Sequence, residues 1–273
     1  MFVTRRPFDQ VAMSIGVPNL PVRLLGFLPG LTTPGGVTHQ AIDDVALMRS
    51  IPNMRILEVG DATEVESVLD VADSIDGPVY IRMLRGEVPR LFPQNCPMKF
   101  GAPRLLLSSN DSNVLSRDSD IAIVTAGICT EEALKARHML QSSGVSILHL
   151  HLSTIVPFPA NDILRICNMS KFGIITMENH SIVGGIGSAL AEVLAEHAVS
   201  KPLIRLGVPG VYAHGASKEY LLREYGLDAF ALIGAIEKLV HKKLANESKL
   251  DIGNYQLKTA DDRSNLMERP EDL

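Results

Sequence analysis

The sequence has no excess of positive charge, no uninterrupted apolar run of bilayer-spanning length and only three cysteines, and each shortage excludes a class of protein. Lys and Arg number 26 against 31 Asp and Glu, a formal net charge of -5, which gives no electrostatic footprint for nucleic acid or an anionic membrane. A membrane-spanning helix needs about 20 consecutive apolar residues, and none of the runs reaches that. The first ten residues, MFVTRRPFDQ, carry two arginines with no apolar stretch behind them, so no secretory signal is expected. Cys96, Cys129 and Cys167 are far apart and form no C-x-x-C pair. They indicate neither a disulfide framework nor a zinc site, and read as reduced thiols of a cytoplasmic protein. A complete dinucleotide fingerprint is missing too. GGIGSAL lacks the third glycine of G-x-G-x-x-G, and the next strand-like run, PLIRLG, holds Arg205 where an acidic ribose partner belongs. Gly184, Gly185 and Gly187 therefore read as a close-packed turn into a helix.

What is present is apolar and periodic. Hydrophobic residues make up 46% of the 273, enough for one large or two ordinary domains. A mean hydropathy of +0.15 points to buried parallel strands and a subunit interface. Strand-like runs at 22–27, 55–59, 79–84, 121–125, 146–152, 173–177 and 202–206 alternate with helical patterns at 6–16, 39–49, 62–74, 130–142, 160–169, 185–199 and 228–243. That alternation predicts parallel sheets with helices on their faces. A proline-containing, then polar stretch between Phe92 and Asp120 reads as a linker. The charged stretch 246–273 reads as a mobile or partner-wrapped tail.

The run GLTTPGGVTHQAIDDVALMRSIPNM, residues 30–54, puts His39 behind a glycine-rich loop. Thr38 reads as an N-cap, and Ala41, Ile42, Val45 and Met48 recur at helical spacing, so the pattern predicts His39 as the first helical residue. A helix start disfavours imidazolium, which would leave a neutral ring free to hydrogen-bond a carbonyl or hydroxyl oxygen. Asp43 would follow on the same helical edge. Taken alone, this histidine reads as readily as an ordinary capping-region residue. His149 and His151 share one strand face in LHLHL, where a buried polar role is favoured over a metal pair lacking a third ligand.

THQAIDDVALMRSIPNM, EVGDATEVES and GPVYIRMLRGEVP, followed by DIAIVTAGICTEEALKARHML, Val156–Pro157–Phe158 and ITMENHSIVGGIGSALAEVLAEH, resemble the thiamine-diphosphate-dependent transketolase family. The resemblance implies two parallel-sheet α/β domains: a partial pyrimidine-binding domain over 1–95, a linker over 96–117, a transketolase C-terminal domain over 118–245 and a tail over 246–273. It makes His39 the catalytic residue that faces substrate oxygens, and Arg85 the donor that grips a sugar phosphate. Arg82 reads either as a second phosphate donor or as an interface ion pair. Asp43 reads either as a substrate-facing acid or as a carboxylate complementing the helix dipole. The loop is similar to those of split, two-gene transketolases, which implies phosphosugar substrates and thiamine diphosphate with Mg at an interface. A diphosphate-binding A subunit would be the partner, in a heterotetramer of two A and two B chains. The family's G-I-x-E segment, with its catalytic glutamate, falls upstream of residue 1, so a truncated start is expected. A deoxyxylulose-phosphate synthase, a 2-oxoacid dehydrogenase beta subunit and an inactive structural remnant stay open as alternatives.

Overall fold

The computed structural model describes residues 1–106 and 119–244; residues 107–117 of the expected linker and the expected tail at 246–273 lie outside them. Two sheets carry the chain. The first has the order β1-β3-β2-β7, from strands β1 (Arg23–Phe27), β2 (Arg55–Glu58), β3 (Val79–Met83) and β7 (Thr154–Val156). The second has the order β4-β6-β5-β8-β9, from β4 (Arg104–Leu106), β5 (Ser119–Ala126), β6 (Ile147–Leu152), β8 (Ser170–Ser181) and β9 (Leu203–Val208). The principal strands pair in parallel, as expected for an α/β fold.

Two short strands are outside the sequence expectation, and both are antiparallel. β4 lies in the stretch read as a linker and pairs with β6. β7 follows β6 after one residue, yet pairs with β2 of the first sheet, Leu57 facing Thr154. Runs of three residues carry too little periodicity to be seen, and their pairing is decided by what lies beside them. Helix α7 (Lys218–Glu224), capped by Ser217 accepting from the Tyr220 amide, was likewise unforeseen.

The other helices follow the apolar spacing. They are α1 (Phe8–Val11), α2 (Asp44–Arg49), α3 (Ala62–Asp73), α4 (Cys129–Met139), α5 (Ala160–Met169), α6 (Ile186–Glu196) and α8 (Ala229–Val240). α1 continues as a wide turn over Ala12–Gly16. α3 has a reciprocal cap: the Asp61 carboxylate accepts from the Glu64 amide at 2.8 Å, and the Glu64 carboxylate accepts from the Gly60 amide at 2.8 Å. None of the described helices is long and apolar enough to cross a membrane.

α3 covers one face of the first sheet through Val68 and Ala72. α4 and α8 cover one face of the second. A third cluster is common to both halves, with Val45, Met48 and Ile56 from the first packed with Leu148, Ile163 and Leu190 from the second. The two halves thus share an apolar core, worth about 25 cal/mol for each Å² removed from water.

The carboxyl ends of the two sets of parallel strands meet. Gly127, just past β5, approaches the end of β2 so closely that a Cβ would stand 2.2 Å from Glu58 Oε1. Its φ of 55° also favours glycine. Gly60, just past β2, leaves 2.6 Å between a would-be Cβ and the His151 ring at the end of β6. The seam is polar and filled. Glu64 accepts from His151 Nε2 at 3.0 Å, Arg104 Nε at 3.0 Å and Ser153 Oγ at 2.5 Å. His151 Nδ1 lies 2.6 Å from Thr130 Oγ1, which is 2.8 Å from Thr125 Oγ1, itself 2.9 Å from His149 Nε2. Both histidines are therefore hydrogen-bonded core groups rather than a metal pair.

Burial works against the Glu64 anion, but the His151 and Arg104 charges and the donated hydrogen bonds outweigh it and hold its carboxyl at about 2. A folded value below the ordinary 4.5 supplies stability that is complete above 4.5 and is lost as pH falls towards 2. Glu64→Gln is expected to cost roughly 3 kcal/mol at neutral pH, the usual penalty for breaking a buried pair. It should also flatten the acid limb of stability in urea titrations between pH 4.5 and 2. An unchanged acid limb would contradict this assignment.

Candidate active site

Ligands of open α/β sheets collect beyond the carboxyl ends of the strands. Two loops stand there on the neighbouring strands β1 and β3: residues 28–43, with His39, and residues 84–91, with Arg85. The first is a closed loop. The Gly30 amide donates to Ala41 O at 3.0 Å and the Ser181 amide donates to Ile42 O at 2.7 Å, which closes its neck. At its tip the amides of His39 and Gln40 both donate to Gly36 O at 2.9 Å. Gln40 Nε2 donates to His214 O at 3.0 Å, and Gly36 lies against Gly215, where a Cβ would come within 3.2 Å. The loop after β9 therefore braces the tip.

This geometry corrects the expected helix over 39–49. α2 starts only at Asp44, with Asp43 in the N-cap position and no cap bond from its side chain. The carbonyls of residues 41 and 42 are taken by Gly30 and Ser181, so tertiary pairing displaces the first helical turn that apolar spacing predicts. Thr38 is not an N-cap. The helix-start argument for a neutral His39 does not apply, and His39 and Asp43 share no helical edge.

His39 is exposed in the turn. Its Nδ1 is 2.9 Å from Thr38 Oγ1, and Nε2 has no partner among the described residues. The ring meets Phe2 edge to face, with centroids 5.2 Å apart. Phe2 is itself 51% exposed and carries the Arg6 guanidinium 4.1 Å from its ring centre. Asp43 is tied to Arg5, whose Nε donates at 2.7 Å, while Asp43 Oδ1 is buried without a partner. Arg5 also lies over the exposed ring of Tyr212. Arg85 is exposed past the end of β3 and makes no side-chain hydrogen bond among the described residues.

Arg82 is placed otherwise. Its side chain is 0% exposed, with no opening towards a phosphate. Nε and Nη2 donate to the two oxygens of Asp44 at 2.8 and 3.1 Å, Nη1 donates to Glu58 at 2.6 Å, and Nη2 donates again to Asn179 O at 3.0 Å. Tyr80 donates to Asp44 at 2.6 Å. Of its two readings, the ion pair is the one this geometry contains, within one chain. The two carboxylates on Arg82 differ. Burial opposes the Asp44 anion, yet Arg82 and His180 hold it below its ordinary value. At Glu58 burial prevails over Arg82, with Asp44 adding to it, and the carboxyl is pushed up.

GGIGSAL is the packed turn expected from its missing glycine. Glu178 takes the start of α6, accepting from the Ile186 and Gly187 amides at 2.7 and 2.9 Å. A Cβ on Gly185 would lie 1.8 Å from that carboxylate, so the helix N-terminus that a dinucleotide phosphate would use is filled by the chain itself. Sequence reasoning missed Phe2 and Arg5. No local pattern marks them, because their partners His39 and Asp43 are reached only through the fold.

The transketolase pyrimidine binding domain model matches residues 1–90, and the transketolase C-terminal domain model matches residues 110–232. A 6-deoxy-6-sulfo-D-fructose transketolase subunit of Clostridium sp. strain MSTE9 is 33% identical over 243 residues, 89% of this chain and 72% of that protein. The B subunit of an apulose-4-phosphate transketolase from Actinobacillus succinogenes is 29% identical over 234 residues, 85% of this chain and 72% of that protein. A solved structure described as a split gene transketolase, an inactive beta4 tetramer, superposes with a TM-score of 0.76 at 32% identity, covering 88% of this chain and 73% of that one.

Burial raises the Glu178 carboxyl to about 7 even though the two helix amides pull it down. A folded value above the ordinary 4.5 means its contribution is most favourable below 4.5 and is lost as pH rises through 7. The carboxyl carbon of Glu178, followed by 13C NMR, should therefore titrate near 7; a midpoint at 4.5 would contradict the balance described.

Proposed function

The chain belongs to the transketolase family, and on that premise we propose that it is the B-type subunit of a split, thiamine-diphosphate-dependent transketolase that moves a two-carbon ketol unit between phosphosugars. The observation that carries this reading is the open placement of His39. Its free Nε2 stands beside an exposed aromatic ring, on a loop fixed at neck and tip, next to the strand that leads to Arg85. Exposed groups on the carboxyl edge of a sheet make one wall of a site and call for a second wall.

The residues suit one end of the cofactor. An exposed phenyl face beside a ring nitrogen fits the flat, partly polar aminopyrimidine. No group of three or more His, Cys, Asp or Glu among the described residues is placed to hold a metal ion, and in this reading the diphosphate and Mg belong to an A subunit. Thiamine diphosphate, when bound, supplies the electron sink that makes carbon–carbon cleavage beside a carbonyl feasible. His39 donates from Nε2 to a substrate hydroxyl or carbonyl oxygen, stabilising negative charge there and exchanging its proton. Arg85 presents paired donors to the phosphate at the far end of the sugar. Asp43 holds Arg5 at the edge of the same wall, with its own unpartnered Oδ1 buried behind it. Arg82 supports that wall from within. Apulose 4-phosphate as donor and glyceraldehyde 3-phosphate as acceptor are the first pair to test, since the loop resembles that of the apulose-4-phosphate enzyme.

Co-expression with a diphosphate-binding A subunit should give a complex that transfers ketol units, in which His39→Ala lowers kcat by about 10²–10⁴. Arg85→Met should raise KM for phosphorylated sugars and leave unphosphorylated ones unaffected. Absence of transfer in a well-formed complex, or an Arg85→Met effect independent of the phosphate, would refute the proposal.

A further inference from the structure

Glu178, Asn179 and His180 end β8, and the proposed chemistry gives them no task. Asn179 is 1% exposed, and both polar atoms of its side chain and its carbonyl oxygen bond to the loop that carries His39 or to the strand that leads to Arg85. Its Oδ1 accepts from the Leu31 amide at 2.8 Å, and its Nδ2 donates to Pro29 O at 2.9 Å. Its own carbonyl accepts from Arg82 Nη2 at 3.0 Å. Gly30 sits between the two prongs with φ at 55°, and a Cβ there would stand 2.3 Å from Asn179 Oδ1. Two residues further on, the Ser181 amide holds Ile42 O, at the other side of the loop neck.

We infer that Asn179 is a positioning residue that fixes the His39 loop against the second sheet and sets its spacing from Arg85. The inference rests on the reading of His39 as substrate-facing. The side-chain amide offers one acceptor and one donor at these prongs. Aspartate would turn a lone pair towards the Pro29 carbonyl, and leucine would leave a buried amide and a buried carbonyl unpaired. The same residue reaches Arg82, on β3, and Arg85 follows three residues later. One anchor therefore registers both groups of the proposed wall, which is what alignment of a reacting oxygen and a distant phosphate requires.

The test needs no substrate. In the unaltered chain, the Leu31 amide should exchange with deuterium as slowly as amides inside β8, although it lies in a loop. In Asn179→Leu that exchange should accelerate by about tenfold or more, the loss of one buried hydrogen bond. The His39 ring resonance, assigned with His39→Gln, should shift at the same time. Gly30→Ala, which crowds the prongs from the other side, should move the same two signals. Thr176→Val, on the same strand and removing a buried hydroxyl with no partner, should move neither. Fast exchange at Leu31 in the unaltered chain, or an unmoved His39 resonance in folded Asn179→Leu, overturns the inference. The unaltered-chain measurement decides the matter even if the variants do not fold. Failure of ketol transfer in the assembled complex would sink the proposed function and leave these signals as expected, so the two can fail separately.

Discussion

The structure depends on one buried cation. Arg82 lies next to the carboxyl end of β3 with its side chain fully enclosed, and a guanidinium there is tolerable only when its donors are met. Asp44 arrives from α2, Glu58 from β2 and the Asn179 carbonyl from β8, so the partners come from both sheets. Parting the halves would take the Asn179 carbonyl from Arg82 and open the enclosed cluster to water, while Asp44 and Glu58 would stay with it in the first half. Such an arrangement adds less net stability than a hydrophobic filling of equal volume, but it tolerates very few alternative dockings.

The rest of the seam obeys the same constraint. Carboxyl ends of parallel strands expose backbone groups and usually bind ligands. Here the second half fills that edge from both sides: Glu178 closes the start of its own α6, while Ser153 and His151 hold Glu64 and Asn179 holds the neck of the His39 loop in the first half. The first sheet keeps part of its edge open, and His39 and Arg85 stand on it. The second half thereby braces the loop that carries His39.

The seven longer strands were legible because buried parallel strands are short apolar runs, and α3, α5, α6 and α8 because their apolar spacing is regular. The start of α2 was not. Residues 39–43 have helical spacing, but the carbonyls of 41 and 42 are claimed by Gly30 and Ser181, which are distant in sequence. β7 hides for a similar reason, since a three-residue strand is made by the edge of β2 it completes. For the site, sequence marked His39 and Arg85 through motif, and both stand exposed beyond the strand ends. It left Arg82 an open choice, because burial of an arginine is settled by partners no local pattern shows. Phe2 and Arg5 became visible only in three dimensions, and so did the partners of Asn179.

If buried charges make the two sheets one unit, they must unfold together. Pulse-labelling hydrogen exchange through a urea titration reads β1–β3 and β5–β9 separately in a single sample. Both sets of peptides should share one midpoint, and a clear gap between the two midpoints would show that the sheets unfold as separate units.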